Sequence, residues 1–160
     1  MRYRIWVHFK EILTKMSNRT TVNYTTEQLK TALEERLHGG LPAHLGVTLQ
    51  RADPSALTLR LQIQPQHMAA NGYLHAGTII TLADTACGFG CLANLPAGAH
   101  SFTTIELKSN FLRTATAGEI SAVATLLHGG RRTQVWDATV SDGHDNVMAL
   151  FRCTQMILYP

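Results

Sequence analysis

The sequence predicts an α+β fold: one curved antiparallel β-sheet wrapped around a single long central α-helix. Three observations lead there. Residues 76–93, AGTIITLADTACGFGCLA, are almost wholly apolar yet hold one acid, Asp84. Read as a helix, this stretch spreads Ile79, Ile80, Leu82, Ala83, Ala86, Cys87, Phe89 and Leu92 around the whole cylinder, as in a helix buried on most sides. Two strand-like segments precede it and four follow in succession, the pattern of a sheet curling round a helix.

The elements follow in order. Thr25 is a candidate N-cap with Gln28 as its capping-box partner. Leu29, Leu33 and Leu37 then repeat at helical spacing, joined by Ala32, until Gly39, Gly40 and Pro42 stop the helix. Leu45–Arg51 alternates as a strand, and Ala52-Asp53-Pro54-Ser55 reads as a turn. Leu57, Leu59, Leu61 and Ile63 alternate with polar residues in a second strand that Pro65 ends. A loop over 66–74 leads into the central helix, which Leu95-Pro96-Ala97-Gly98 closes. Strands are expected at Thr103–Arg113, Ile120–His128, Thr133–Ser141 and Val147–Leu158. The third strand alternates through Ile105 and Leu107 to Phe111. Ala117-Gly118-Glu119 reads as a turn, Gly129-Gly130 as a bend or bulge, and Asp142-Gly143 as a hairpin.

A chain of 160 residues, 45% hydrophobic and 16% charged, fits one globular domain with its own core. Residues 25–160 form that domain, and residues 1–24 read as an N-terminal extension, not necessarily from the native start. Within the extension Ile5, Phe9, Ile12, Leu13 and Met16 fall at helical spacing between basic residues. That suits either a membrane-surface or partner helix or a segment upstream of a start at Met16. Arg2, Arg4, Lys10 and Lys15 against Glu11 account for the whole formal charge of +3, so the rest of the chain is neutral and no nucleic-acid-binding face is expected. Cys87, Cys91 and Cys153 give no disulfide framework and no metal-ligand spacing, which fits a reducing, cytoplasmic setting. The central stretch, broken by Asp84 and by Gly77, Gly88 and Gly90, is too short to read as a membrane span.

Two places carry chemistry. The helix opens at His75-Ala76-Gly77, where backbone N–H groups lack intrahelical acceptors and the helix dipole favours negative charge. The N–H of Ala76 or Gly77 there is placed to polarise a thioester or ester carbonyl. Asp84 lies eight residues further, about 12 Å along the axis at the rise of an α-helix. If both act on one carbonyl, Asp84 must come from a second, antiparallel copy of the helix, which predicts a two-fold dimer with composite sites. Asp84 and His75 also admit structural roles, as a core carboxyl bonded to backbone and as a packed ring capping a loop carbonyl. Gly72 reads as a turn glycine.

The run Gly72-x-x-His75-Ala76-Gly77, with Asp84 nine residues after His75, resembles the hotdog-fold acyl-CoA thioesterases, above all the phenylacetate-degradation type and its 4-hydroxybenzoyl-CoA thioesterase relatives. TTIELKSNFLRTATAGE is similar to that family's third strand and following turn, and GGRRTQVWDATVSD to its next strands, so the resemblance spans roughly residues 42–157. It implies hydrolysis of acyl-CoA thioesters with Asp84 as general base or nucleophile and the N–H at Ala76, where the family usually has Gly, polarising the carbonyl. It implies that His75 positions the loop and that Thr104, with Thr103 adjacent, assists the carboxylate or its water. Many members carry Asn or Gln where this chain has Ala69; either Asn71 substitutes or that helper is missing. The acyl pocket would include Met68, Tyr73, Cys87 and Phe89. Arg113, Arg131 and Arg132 are candidate partners for CoA phosphates or ordinary solvated strand-end arginines. No metal or cofactor is required, CoA being part of the substrate, and homodimers pairing into homotetramers are implied. A hydroxyacyl-thioester hydratase or dehydratase and a non-catalytic acyl-CoA-binding module are the alternatives.

Overall fold

A computed structural model describes residues 25–160; the N-terminal extension and its possible helix lie outside the described residues. Helix α1, Thr26–Arg36, begins where the capping box predicts. The Gln28 N–H donates to Thr25 Oγ1 at 3.3 Å, and the Thr25 N–H donates to Gln28 Oε1 at 3.0 Å. Leu29 and Leu33 point its apolar face at the first strand.

The glycines do not simply end the helix. Gly40, at a positive φ of 74°, opens a short second helix α2, Gly40–His44. Pro42 sits in its first turn, where a missing N–H costs nothing. Leu45 and Gly46 close that turn, so strand β1 runs Thr48–Asp53, not from Leu45. It pairs with β2, Ala56–Gln62, and the turn between them is tied by the Ser55 N–H and hydroxyl, both donating to Asp53 Oδ1. A 3-10 turn at Pro65–His67 precedes the central helix α3, Ala76–Ala93, whose bounds match the sequence reading.

The remaining strands are β3 (Ser101–Phe111), β4 (Glu119–Gly129), β5 (Thr133–Asp142) and β6 (Val147–Leu158). All pairings are antiparallel and the sheet order is β1-β2-β4-β5-β6-β3, so β3 is an edge. The sheet wraps α3, which contacts β2, β3, β4, β5 and β6. Leu57, Leu59, Leu61, Ile120, Ala122, Ala124 and Trp136 fill the space against Leu82, Ala83, Ala86 and Cys87. By length and composition α3 is apolar enough to cross a membrane; its burial under the sheet makes it a core helix instead.

A β-bulge between Thr104 and Glu106 corrects the expected alternation of β3. Ile105 becomes the extra residue, and Thr104 and Leu107 end on one face, opposite Gln155 and Cys153. Beyond Thr104 the cover over that face thins. Further along, Leu107 and Phe111 are 41% and 46% exposed, and Ile105 beside them 53%, which leaves an apolar edge strand uncovered.

Candidate active site

The loop into α3 is held by its own backbone. The Ala69 N–H donates to the Tyr73 carbonyl at 2.7 Å and the Gly72 N–H to the Ala69 carbonyl at 2.9 Å, with Gly72 in the left-handed region the turn requires. Asn71 Oδ1 accepts from the Tyr73 N–H at 3.2 Å. His67, fully buried, ties down the helix start: its carbonyl accepts from the His75 N–H at 3.0 Å and from Thr78 Oγ1 at 3.1 Å.

His75 is the N-cap of α3, and its Nδ1 accepts the Gly77 N–H at 2.8 Å. The Thr78 and Ile79 N–H groups donate to the His75 carbonyl. Gly77 is therefore spent on the cap and does not serve as a free donor. Its lack of a side chain matters, because a Cβ there would lie 2.9 Å from the imidazole. Ala76 is left as the first residue of α3 whose N–H has no partner among the described residues. A cleft of about 400 Å³ opens before it, lined by Ala69, Asn71, Tyr73, His75, Ile79, Phe111 and Arg113 among others.

Asp84 sits two turns along α3, outside that cleft. It is half-buried, and burial raises its carboxyl pKa above the ordinary value while a hydrogen bond from Thr104 opposes the rise. Thr104 Oγ1 stands 3.3 Å from Asp84 Oδ1 and 2.9 Å from the amide of Gln155. No ion pair reaches Asp84 among the described residues.

The structure thus brings Asn71, Gly72, Tyr73, His75, Ala76 and Arg113 together at one place and Asp84 with Thr104 at another. Thr103 pairs with Met156 on the opposite face of β3 from Thr104. Met68 bridges to Leu74 and packs on the core without lining the cleft. Cys87 and Phe89, expected in the acyl pocket, are buried against the sheet instead, because the helix turns that flank inward. Arg131 stacks on the Tyr159 ring at 5.6 Å, and the Arg132 carbonyl accepts from the Ile157 N–H. They lie at the end of β6 remote from Met148, whose carbonyl accepts the Arg113 N–H. Among the described residues no three His, Cys, Asp or Glu side chains are grouped to hold a metal ion.

Gln155 is absent from the sequence reading. Its signal was present: it stands in the inward register of β6 with Phe151, Cys153 and Ile157, where a polar side chain needs a reason.

Comparison with known proteins bears on this arrangement. The family described as "Thioesterase superfamily" matches residues 71–149, which take in the end of the loop, all of α3 and β3 to β5. The chain belongs to the thioesterase superfamily. Thioester hydrolysis is the activity that membership in the superfamily assigns. The chain is similar to 1,4-dihydroxy-2-naphthoyl-CoA hydrolase of Listeria monocytogenes, 27% identical over 115 residues, 72% of this chain and 93% of that protein. It is also similar to acyl-coenzyme A thioesterase PaaI of Escherichia coli, 29% identical over 109 residues, 68% of this chain and 75% of that protein. The solved structure of thioesterase HI1161 from Haemophilus influenzae superposes with a TM-score of 0.76 at 22% identity, covering 86% of this chain and 92% of that one. The fold of this superfamily member is the hotdog fold.

Proposed function

We propose that the protein hydrolyses acyl-CoA thioesters at sites shared between two copies of the chain. One copy supplies the Ala76 N–H and the cleft; the other supplies Asp84. The observation that carries this reading is Asp84 itself, a half-buried carboxyl in an apolar helix with a hydroxyl for a partner and, among the described residues, no cation. A group so expensive to bury is kept for chemistry more readily than for stability.

Helix geometry then asks for the second copy. Ala76 and Asp84 are about 12 Å apart along α3, so one thioester carbon meets both only across an antiparallel pair of helices. The edge strand β3, with Ile105, Leu107 and Phe111 uncovered, is the surface such a pairing would bury. Pairing of dimers into tetramers is the assembly we expect beyond that.

The substrate carbonyl oxygen takes the Ala76 N–H at the positive end of α3. Asp84 either removes a proton from water as the oxygen attacks the carbonyl carbon, or attacks itself and forms a mixed anhydride that water opens. The C–S bond breaks, the CoA sulfur leaves with a proton, and the acid is released. CoA enters as part of the substrate, and no other cofactor or metal is needed for these steps. Arg113 of one copy stands at the cleft, and Arg131 and Arg132 of the other would approach it from the far end. Tyr73, Ile79 and Phe111 give the cleft an apolar lining suited to aryl or medium acyl groups. Three free thiols fit a cytoplasmic setting.

The test is hydrolysis of phenylacetyl-, benzoyl- and short to long aliphatic acyl-CoA, followed by a thiol-reactive dye, with Asp84→Asn in parallel. Turnover lost in the variant supports the reading. Tight acyl-CoA binding without turnover in the wild-type protein would replace it with a binding module.

A further inference from the structure

The hydrogen bonds around Asp84 contain a conflict whose resolution assigns a role to Gln155. Thr104 has one hydroxyl proton and two acceptors within reach, Asp84 Oδ1 at 3.3 Å and Gln155 Oε1 at 2.9 Å. With the carbonyl end of the amide toward Thr104, the proton goes to Gln155 and Asp84 receives nothing. The amide N–H is then spent on Cys153 Sγ at 3.2 Å, a weak acceptor.

The two ends of an amide fill the same space, so hydrogen bonding decides which end faces Thr104. A half-turn of the amide gives the Thr104 oxygen, the Cys153 thiol and the Asp84 carboxyl a partner each. Its N–H then donates to Thr104 Oγ1, its oxygen accepts the Cys153 S–H, and the Thr104 proton is free for Asp84. In this arrangement each donor from Cys153 through Gln155 and Thr104 points one step closer to the acid.

We infer that Gln155 is a positioning residue: its buried amide donates to Thr104 Oγ1 and so aims the single Thr104 hydroxyl proton at Asp84 Oδ1. The inference rests on Asp84 being the reacting carboxyl. Its consequence is that the ionised carboxylate is held in one orientation and favoured over the protonated form. Few other groups compete for control of that proton. Among the described residues the titratable neighbours are Cys87 on α3 and Cys153 on β6, both buried thiols. β2 and β4 present apolar side chains to α3. On β5, Asp137 is held in an ion pair with Arg152, 2.6 Å away.

The experiment is direct titration of the Asp84 carboxyl by carbon-13 NMR in wild type, Gln155→Leu, Thr104→Val and the double variant. Gln155→Met provides a second chain of similar length without N–H donors should the Leu variant fail to fold. Removing the amide donor should raise the Asp84 midpoint by about one pH unit, a tenfold change in proton affinity. Thr104→Val should do the same, and the double variant no more than either alone. In kinetics, kcat should fall with KM nearly unchanged, and the acid limb of the pH profile should move up with the NMR midpoint. A folded Gln155 variant with an unmoved midpoint overturns the inference, and so do single shifts that simply add. Asp84→Asn with full turnover would instead remove the function assigned to Asp84, leaving the titration to report on Gln155 by itself.

Discussion

The two halves of α3 are made of the same kinds of residue and end in opposite conditions. From Ala86 to Cys91 every residue is buried. The helix there is cut down to glycine where the sheet presses in: a Cβ on Gly90 would lie 2.5 Å from the Trp136 ring, and one on Gly88 2.9 Å from Phe102. From Ala76 to Thr85 the contact loosens. Ala76 is exposed, and Gly77, Ile80, Thr81, Asp84 and Thr85 form a half-buried stripe at helical spacing. The sealed half fixes the helix to the sheet. The open half leaves one N–H and one carboxyl unpaid by packing, and those are the groups available for chemistry.

The largest expected effect breaks the open half. Asp84→Asn keeps the shape and the Thr104 contact but removes the proposed base, and kcat should fall on the order of 10²–10⁴-fold. Ala76→Pro comes next. Position 76 is the first of the helix, where proline is tolerated, and His75 at φ −66° and ψ 134° already has the backbone a residue before proline needs. The substitution deletes one N–H and little else, so kcat should fall about 10²–10³-fold. Mixing the two inactive variants under subunit exchange sharpens the comparison. If the proposed dimer forms, mixed dimers keep one intact composite site of two, so about a quarter of wild-type activity should return. No recovery, with mixed dimers verified by mass, would mean that both groups act within one chain.

Breaking the sealed half should cost stability instead. Gly90→Ala drives a methyl into the Trp136 ring, which is itself anchored by donating to Gln134 Oε1 at 2.9 Å. Overpacking of this kind costs about 1–3 kcal/mol. The measurement is the urea midpoint, with kcat on the surviving folded protein unchanged.

The same division explains what the sequence disclosed. Helix α3 was legible to the residue because an all-apolar run bounded by His75-Ala76 and Leu95-Pro96 has few other solutions. The capping box at Thr25 and the loop glycine Gly72 were legible because their chemistry is local. The bulge at Ile105 was not. It arises from register between strands distant in sequence, and it is what turns Thr104 toward Asp84. Without it, alternation groups Ile105 with Leu107 and puts Thr104 on the other face. The preference for Ala76 over Gly77 also needed coordinates, since only the imidazole position shows which N–H is already taken.

The smallest effect, and the subtlest, concerns the pH dependence of folding. Asp84 has a carboxyl pKa raised on folding from 3.8, with burial the larger cause. An acid raised in this way supports the fold while protonated; that support is complete below the unfolded value and lost as pH climbs through the folded one. At neutral pH its ionised form therefore works against stability. The turn acids have the opposite sign. Asp53, bonded to Ser55 and Arg51, is lowered to about 2, and Asp142, bonded to Asn146 and His144, is lowered as well. Their support is present at neutral pH and fades as the medium is acidified through those lowered values. Both turns are unchanged by Asp84→Asn, so their contribution cancels when the Tm of the variant is compared with wild type. What remains should be the Asp84 contribution, a Tm difference that grows in favour of the variant from about pH 4 toward neutrality. A difference independent of pH would mean that Asp84 ionises as freely in the folded protein as in water, and the open half of α3 would then be wetter than its contacts imply.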